Sequence, residues 1–204
     1  MRLFLASNNS HKRQEFQKIL SPHTVLLPRD EGIEFDFDET GTTYFENALG
    51  KARALFEQIR RPVIGDDSGL SVPAIDGAPG IYSARYGESE AGRALTSEEQ
   101  IEFLLKNLSG KDDRRGFFVC ALVLYVDDYR FSAVQETLTG SIASEPRGTG
   151  GFGYDPIFLL PGGEKTVAEL EEDEKNRLSH RGKAGAALRP HIDRLEELRE
   201  EEYP

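Results

Sequence analysis

The chain opens on short alternations of apolar and polar positions. Arg2 to Ala6 is a brief apolar run that predicts a first strand, and the polar Ser7-Asn8-Asn9-Ser10 after it predicts a turn and a helix start. Phe16, Ile19 and Leu20 then fall at i, i+3 and i+4, the spacing of one buried helix face. Thr24 to Leu27 predicts a second short strand. Ile33, Phe35 and Phe37 alternate with Glu34, Asp36 and Asp38, which predicts a half-buried strand whose end presents Asp38 and Glu39. Thr43 and Glu46 stand at capping-box spacing. Behind them Phe45, Ala48, Leu49, Ala52, Leu55, Phe56 and Ile59 trace one helical stripe, and Glu46, Asn47 and Lys51 lie off it.

Pro62 to Ile64 begins the next apolar run, and Asp66, Asp67, Ser68 and Gly69 follow its end. Asp76 to Gly80 is too rich in Gly and Pro for a helix or a central strand, so it reads as a shaped loop that places Ser83 and Arg85. Ala91 to Ser97 reads as a loop. Thr96 and Glu99 form a second capping box before a helix face of Ile101, Leu104, Leu105 and Leu108. The unbroken apolar run from Phe117 to Val126 predicts a strand covered on both faces. A turn at Asp127 to Arg130 and alternation from Phe131 to Thr139 make it half of a hairpin. Ile157 to Leu160 predicts a further strand, and Ser179 onward a last helix with Ala184, Ala187, Leu188, Ile192, Leu195 and Leu198 on its face. These elements predict an α/β fold with a mixed sheet, organised as a single domain over residues 1–204 with an inserted lobe around residues 90–145.

Composition narrows the partners. The 204 residues are 38% hydrophobic and 30% charged, ordinary for a chain that buries a core. A net charge of −11 argues against binding along nucleic-acid backbone, although local lysines and a bound cation could still receive a small anion. The single cysteine, Cys120, sits in the apolar run and reads as a buried strand thiol. The apolar run at the N-terminus is too short for a secretory signal, and no stretch is long enough to span a bilayer, so the expectation is a cytoplasmic protein with no membrane partner.

Four stretches carry candidate chemistry. Asp66 and Asp67 at a strand end could hold a hard cation such as Mg2+, Ser68 adds a hydroxyl and Gly69 lets the backbone approach a ligand; the same four residues read equally as a solvated surface turn. The strand, polar turn and helix start around Ser7 to Lys12 has the geometry of an anion site, although this segment alone reads more readily as a plain N-cap with an exposed lysine. Gly148, Gly150 and Gly153 spell G-x-G-x-x-G, but Pro156 and the apolar run behind it point to a strand, so the dinucleotide reading is rejected. The stretch reads instead as a loop that wraps a ligand, with Phe152 as a stacking face and Asp155 as an acceptor. His180 and Arg181 at a helix start oppose the helix dipole, a misfit that hints at a ligand.

Taken together the stretches resemble the inosine triphosphate pyrophosphatase family, the noncanonical purine NTP pyrophosphatases or XTP/dITP diphosphatases. The resemblance rests on Ser7-x-Asn9-x-x-Lys12, Phe45-Glu46-Asn47-Ala48 with Lys51-Ala52, Asp66-Asp67-Ser68-Gly69-Leu70, Gly77-x-Pro79-Gly80 with Ser83-Ala84-Arg85-Tyr86, Gly148 to Pro156, and Ser179-His180-Arg181. It implies an elongated mixed-sheet fold of two lobes around a central nucleotide-binding cleft, a homodimer, and Mg2+-dependent conversion of ITP, dITP or XTP to the monophosphate plus pyrophosphate. It implies that Ser7, Asn8, Asn9, Ser10, His11, Lys12, Lys51, Ser68 and Lys175 bind the substrate, mainly its phosphates. Asp67 would be the catalytic carboxylate and a metal contact, with Asp38 or Glu39 as the second contact. Phe152, Gly153, Tyr154, Asp155, His180 and Arg181 would hold the base. A related enzyme acting on pyrimidine or modified nucleotides would carry a Ser-x-Ser-Pro-Arg-Arg pattern near its start, which is missing here. A nucleotide-binding sensor without turnover is the third reading, and Asp67, Lys12 and Lys175 speak against it.

Overall fold

The computed structural model describes residues 1–202. The chain forms two compact units. The first comprises Met1–Asp67, Cys120–Glu136 and the described residues from His180 onward; the second comprises Ser68–Val119 and Thr137–Ser179. Among the described residues six strands stand in the order β2-β1-β3-β4-β5-β6. They are β1 (Arg2–Leu5), β2 (Thr24–Leu26), β3 (Val63–Ser71), β4 (Arg115–Asp127), β5 (Arg130–Ile142) and β6 (Phe158–Leu159). β1 pairs in parallel with β2 and β3, and β5 pairs antiparallel with β6, so the sheet is mixed as expected. Among the described residues six α-helices join them: α1 (Ser10–Ile19), α2 (Tyr44–Ile59), α3 (Glu88–Ala91), α4 (Ser97–Asn107), α5 (Glu172–Leu178) and α6 (His180–Glu202). Among the described residues no helix is long and apolar enough to cross a membrane.

In the first unit β1, β3 and β4 are covered on both faces. Successive side chains of a strand point to opposite sides. Leu3, Leu5 and Ile64 therefore join Cys120, Leu122 and Leu124 against Phe16 and Leu20 beside α6 residues Ala184, Leu188 and Ile192. Phe4, Val63, Ala121, Val123 and Tyr125 face the other way, against Ala48, Ala52, Leu55 and Phe56 of α2. β4 feeds both layers, which is the physical reason its sequence shows no alternation. Helix α2 starts at Thr43, whose Oγ1 accepts the Glu46 N–H at 3.1 Å while Glu46 Oε2 accepts the Thr43 N–H at 3.1 Å. Phe45 departs from the expected stripe: at 37% exposure it lies outside the core.

Residues 33–40 correct one expectation. They form no strand, yet their burial still alternates: Phe35 is buried, Ile33 and Phe37 pack on the α2 layer, and Glu34, Asp36 and Asp38 are exposed. A period of two reports extended backbone with one covered face, and it needs no partner strand. Phe37 also accounts for Gly50 within α2, because a Cβ there would stand 2.6 Å from Phe37 Cζ.

The second unit has its own core of Leu70, Val72, Ile101, Leu104, Leu108, Phe118, Leu138, Ile142, Tyr154, Ile157, Phe158 and Val167. Helix α4 begins at the Thr96–Glu99 capping box. Ser83, placed by the Gly- and Pro-rich loop, is buried; its Oγ accepts the Leu70 N–H at 2.8 Å and donates to Gly80 O at 2.7 Å. The expected strand at Ile157 to Leu160 is shorter, because Asp155–Ile157 closes into a 3-10 turn and leaves two residues for β6.

Candidate active site

β3 extends well past its apolar start. It runs through Asp66 and Asp67 to Ser71, so the two acids lie within a strand and not in a turn after one. Leu5, the last residue of β1, is opposite Ile64, so both acids project beyond the carboxyl end of β1. That end of parallel strands is where α/β sheets present their ligand sites. Asp66 is 0% exposed and Asp67 4%, which removes the reading of a solvated turn.

Strand alternation sends Asp67 toward α2. Gly65, on the same side of β3, lets that helix approach: a Cβ there would collide with the Ala48 carbonyl oxygen. Close approach carries two α2 side chains onto the carboxylate. Asn47 Nδ2 donates to Asp67 Oδ2 at 3.2 Å, and Lys51 Nζ donates to Asp67 Oδ1 at 3.1 Å. Lys51 Nζ also donates to Glu39 Oε1 at 2.7 Å. One ammonium thus holds two carboxylates together, and Glu39 takes that place while Asp38 is exposed. Burial raises the Asp67 carboxyl above its ordinary value, with Lys51 opposing and Glu39 adding to the rise. Burial alone would lower the Lys51 ammonium, but the charges of Asp67, Asp66 and Glu39 raise it. Asn47 and Lys51 are four residues apart and so share a helix face, a spacing that could have announced the pair from sequence.

Asp66 points the other way. It is ion-paired with Lys12 of α1, and its Oδ1 accepts the Cys120 S–H at 3.3 Å. Burial on its own would raise this carboxyl; the charges of Lys12, Arg181 and Lys51 outweigh it and hold the group far below the usual carboxylate range. Cys120 is the buried strand thiol expected, and burial followed by the Asp66 charge pushes its ionisation well up. Arg181, 3% exposed, pairs with Glu15 Oε2 at 2.5 Å and lies 5.8 Å from the Phe16 ring centre. His180 is buried beside it in sequence at the start of α6. Nothing in the sequence pattern singled out Glu15, which reads there as an ordinary polar helix position.

The polar turn after β1 is tightly organised. Asn9 is the N-cap of α1, and its Oδ1 accepts the N–H groups of His11 at 2.9 Å and Lys12 at 3.2 Å. Ser7 Oγ accepts the Asn9 N–H at 3.1 Å, and Asn8 Nδ2 donates to Phe35 O at 2.7 Å. Ser10 and His11 are exposed at the helix start. The side chains of Ser7, Asn8 and Asn9 hold the turn and the neighbouring segment in shape.

In the second unit the glycine loop and α5 make a separate group. Lys175 Nζ donates to Asp155 Oδ2 at 2.8 Å and lies 5.1 Å from the centre of the Phe152 ring. Asp155 Oδ2 also accepts the Phe152 N–H at 2.8 Å. Gly151 has φ +73, and a Cβ on it would meet Asp155 Oδ2, so the loop needs glycine there twice over. The Tyr154 hydroxyl donates to Ser83 O at 3.1 Å, which makes it a brace of this unit's core. Gly153 takes φ +59 between Phe152 and Tyr154. Ser68 is half-buried in β3.

The donor set of Glu39 and Asp67 suits Mg2+. Among the described residues no three His, Cys, Asp or Glu side chains gather as a metal group. Mg2+ needs no such cage: it is commonly held by one or two carboxylates, with waters and substrate phosphates completing the shell. Two carboxylates already converging on one ammonium provide that much.

The sequence as a whole has close relatives. The model of the Ham1 family matches residues 3–191. A Treponema denticola protein named dITP/XTP pyrophosphatase is 51% identical over 184 residues, covering 90% of this chain and 94% of that one. A Bacillus subtilis protein of the same name is 42% identical over 184 residues, covering 88% and 91%. Among solved structures, a HAM1 protein from Coxiella burnetii matches with a TM-score of 0.84 at 38% identity, covering 95% of this chain and 99% of that one. With such a match over almost its whole length, the chain belongs to the Ham1 family.

Proposed function

We propose that the protein is a Mg2+-dependent nucleoside triphosphate pyrophosphohydrolase that converts ITP, dITP or XTP to the monophosphate and pyrophosphate, clearing these purines from the nucleotide pool. The observation that carries the reading is the pair of carboxylates held by Lys51, the buried Asp67 and the half-buried Glu39, with Asn47 fixing the second oxygen of Asp67. The names of the relatives support the substrate class. A homodimer working in the cytoplasm is the assembly and place that the sequence resemblance implies.

Glu39 and Asp67 would hold the metal, which when bound neutralises phosphate charge and makes the phosphorus more electrophilic. Lys51 and Lys12 lie beside buried acids and bring positive charge to the triphosphate, where charge develops during cleavage. Water is a weak nucleophile, and Asp67 is the carboxylate placed to orient it and accept its proton as the P–O bond to pyrophosphate breaks. Phe152, Asp155 and Lys175 form the base-reading group. Phe152 offers a stacking face and Asp155 an acceptor for N1–H; Lys175, which the resemblance assigns to the phosphates, is read as a donor for the 6-oxo oxygen because it pairs with Asp155 and lies over the Phe152 ring. Hypoxanthine and xanthine present that pair of groups. Adenine reverses both and would leave buried polar groups unmatched, a penalty that can reach roughly 10^4 in rate.

Pyrophosphate release from ITP, XTP, GTP, ATP and dTTP, each with and without Mg2+, tests the reading. Fast release from ITP and XTP that requires Mg2+ is the expected result. A preference for dTTP would place the protein with enzymes of pyrimidine nucleotides, and nucleotide binding with no turnover would make it a sensor.

A further inference from the structure

Asn47 joins two parts of the site that are distant in sequence. It is 1% exposed, and its side chain makes one bond in each direction: Oδ1 accepts the Gly41 N–H at 2.8 Å and Nδ2 donates to Asp67 Oδ2 at 3.2 Å. The orientation of the amide follows from chemistry. A backbone N–H can only donate, so the oxygen must face Gly41 and the NH2 must face the carboxylate. Gly41 closes the extended segment that carries Glu39. That segment has no ladder, so its position depends on the burial of Phe35 in the α2 layer and on side-chain contacts that include Asn8 on Phe35 O, Phe37 on Gly50, Lys51 on Glu39, and Asn47 on Gly41.

We infer that Asn47 is a positioning residue for the metal carboxylates: it fixes the rotation of Asp67 and the reach of Glu39 at once. The inference rests on the reading above for the ligand that Glu39 and Asp67 share. Lys51 holds Asp67 Oδ1 and Asn47 holds Oδ2, so the carboxylate plane cannot turn without losing a buried hydrogen bond. The bond to Gly41 sets where the Glu39 segment enters α2. Gly41 is fitted to this arrangement, because a Cβ on it would stand 2.6 Å from Asn47 Oδ1.

Two substitutions approach the contact from opposite ends. Asn47→Leu keeps the volume and removes both bonds. Gly41→Ala leaves the amide in place and pushes it away from the backbone. Three readouts are taken on each: hydrogen exchange of a peptide covering residues 36–44 in metal-free protein, Mn2+ affinity by the loss of its free-ion spin signal, and steady-state turnover of ITP. Both variants are expected to exchange that peptide about tenfold faster, while peptides from α4 exchange as in the parent. Mn2+ affinity should fall about ten- to a hundredfold, and kcat should fall while KM for ITP stays within about threefold. If Asn47→Leu fails to fold, Gly41→Ala carries the test. Unchanged exchange of the peptide together with unchanged Mn2+ affinity in the variants would overturn the inference. A parent that binds Mn2+ but leaves ITP intact would overturn the proposed function, and the exchange and Mn2+ results would still decide the role of Asn47.

Discussion

Asp66 and Asp67 are neighbours in β3 and face opposite sides of the sheet, where each meets a different lysine: Lys12 from α1 for Asp66, Lys51 from α2 for Asp67. The pleat of the strand alone produces this division. It gives one carboxylate a place beside Glu39 and the other a buried charge network with Lys12, Arg181 and Glu15. The two acids should therefore differ in what their loss does.

Under the proposed function Asp67 stands at the chemistry. Asp67→Asn keeps the shape and removes the proton acceptor and one anionic metal contact. Turnover of ITP should fall by about a hundredfold or more, while ITP binding by calorimetry in the presence of Ca2+ stays within about tenfold of the parent. Hydrolysis at the parent rate would remove Asp67 from the catalytic role.

Asp66 acts on stability. Its carboxyl is depressed in the folded protein, so its contribution is present above the unfolded-chain value near 4 and is lost as pH falls through the folded value. Asp66→Asn leaves Lys12 and Arg181 short of a counter-charge and should cost about 3–5 kcal/mol at pH 7. The gap in melting temperature between parent and variant should narrow as pH falls below about 4. A gap of constant width down to pH 2 would mean that Asp66 acts through packing and not through its charge.

Gly65 sets the distance between β3 and α2. Gly65→Ala places a methyl against the Ala48 backbone, which cannot yield as a side-chain tip would. It should destabilise the protein by about 1–3 kcal/mol and also lower kcat, since Asn47 and Lys51 move with the helix. Thermal melts and ITP kinetics on one preparation check both parts. Full activity in a destabilised variant would show that the approach of α2 matters only for packing.

Asp155 tests base selection. Asp155→Asn replaces an acceptor with an amide that can also donate, and it breaks the ion pair with Lys175. The ratio of kcat/KM for ITP over ATP should fall by about tenfold or more. Equal losses for both nucleotides would move the residue out of base reading and into the architecture of its loop.

Much of the frame is legible in short stretches of sequence. The capping boxes at Thr43–Glu46 and Thr96–Glu99, the β4–β5 hairpin and the two-faced burial of β4 all appear where the residue pattern puts them. These features depend on residues within a turn or two of one another, so local periodicity and capping chemistry suffice to specify them. Residues 33–40 mark the limit. Their alternation is real, yet whether an extended segment joins a sheet depends on a partner strand elsewhere in the chain. The contacts that build the candidate site are of this long-range kind. Asn47 and Asp67 are 20 residues apart, and Cys120 and Asp66 are 54 apart. Packing chooses such partners: the pleat of β3 divides the two acids between faces, and the missing Cβ of Gly65 admits α2 closely enough to bring Asn47 and Lys51 onto one of them. Residue types along the chain named the carboxylates and lysines, and the stacking of helices on the sheet assigned each to its partner.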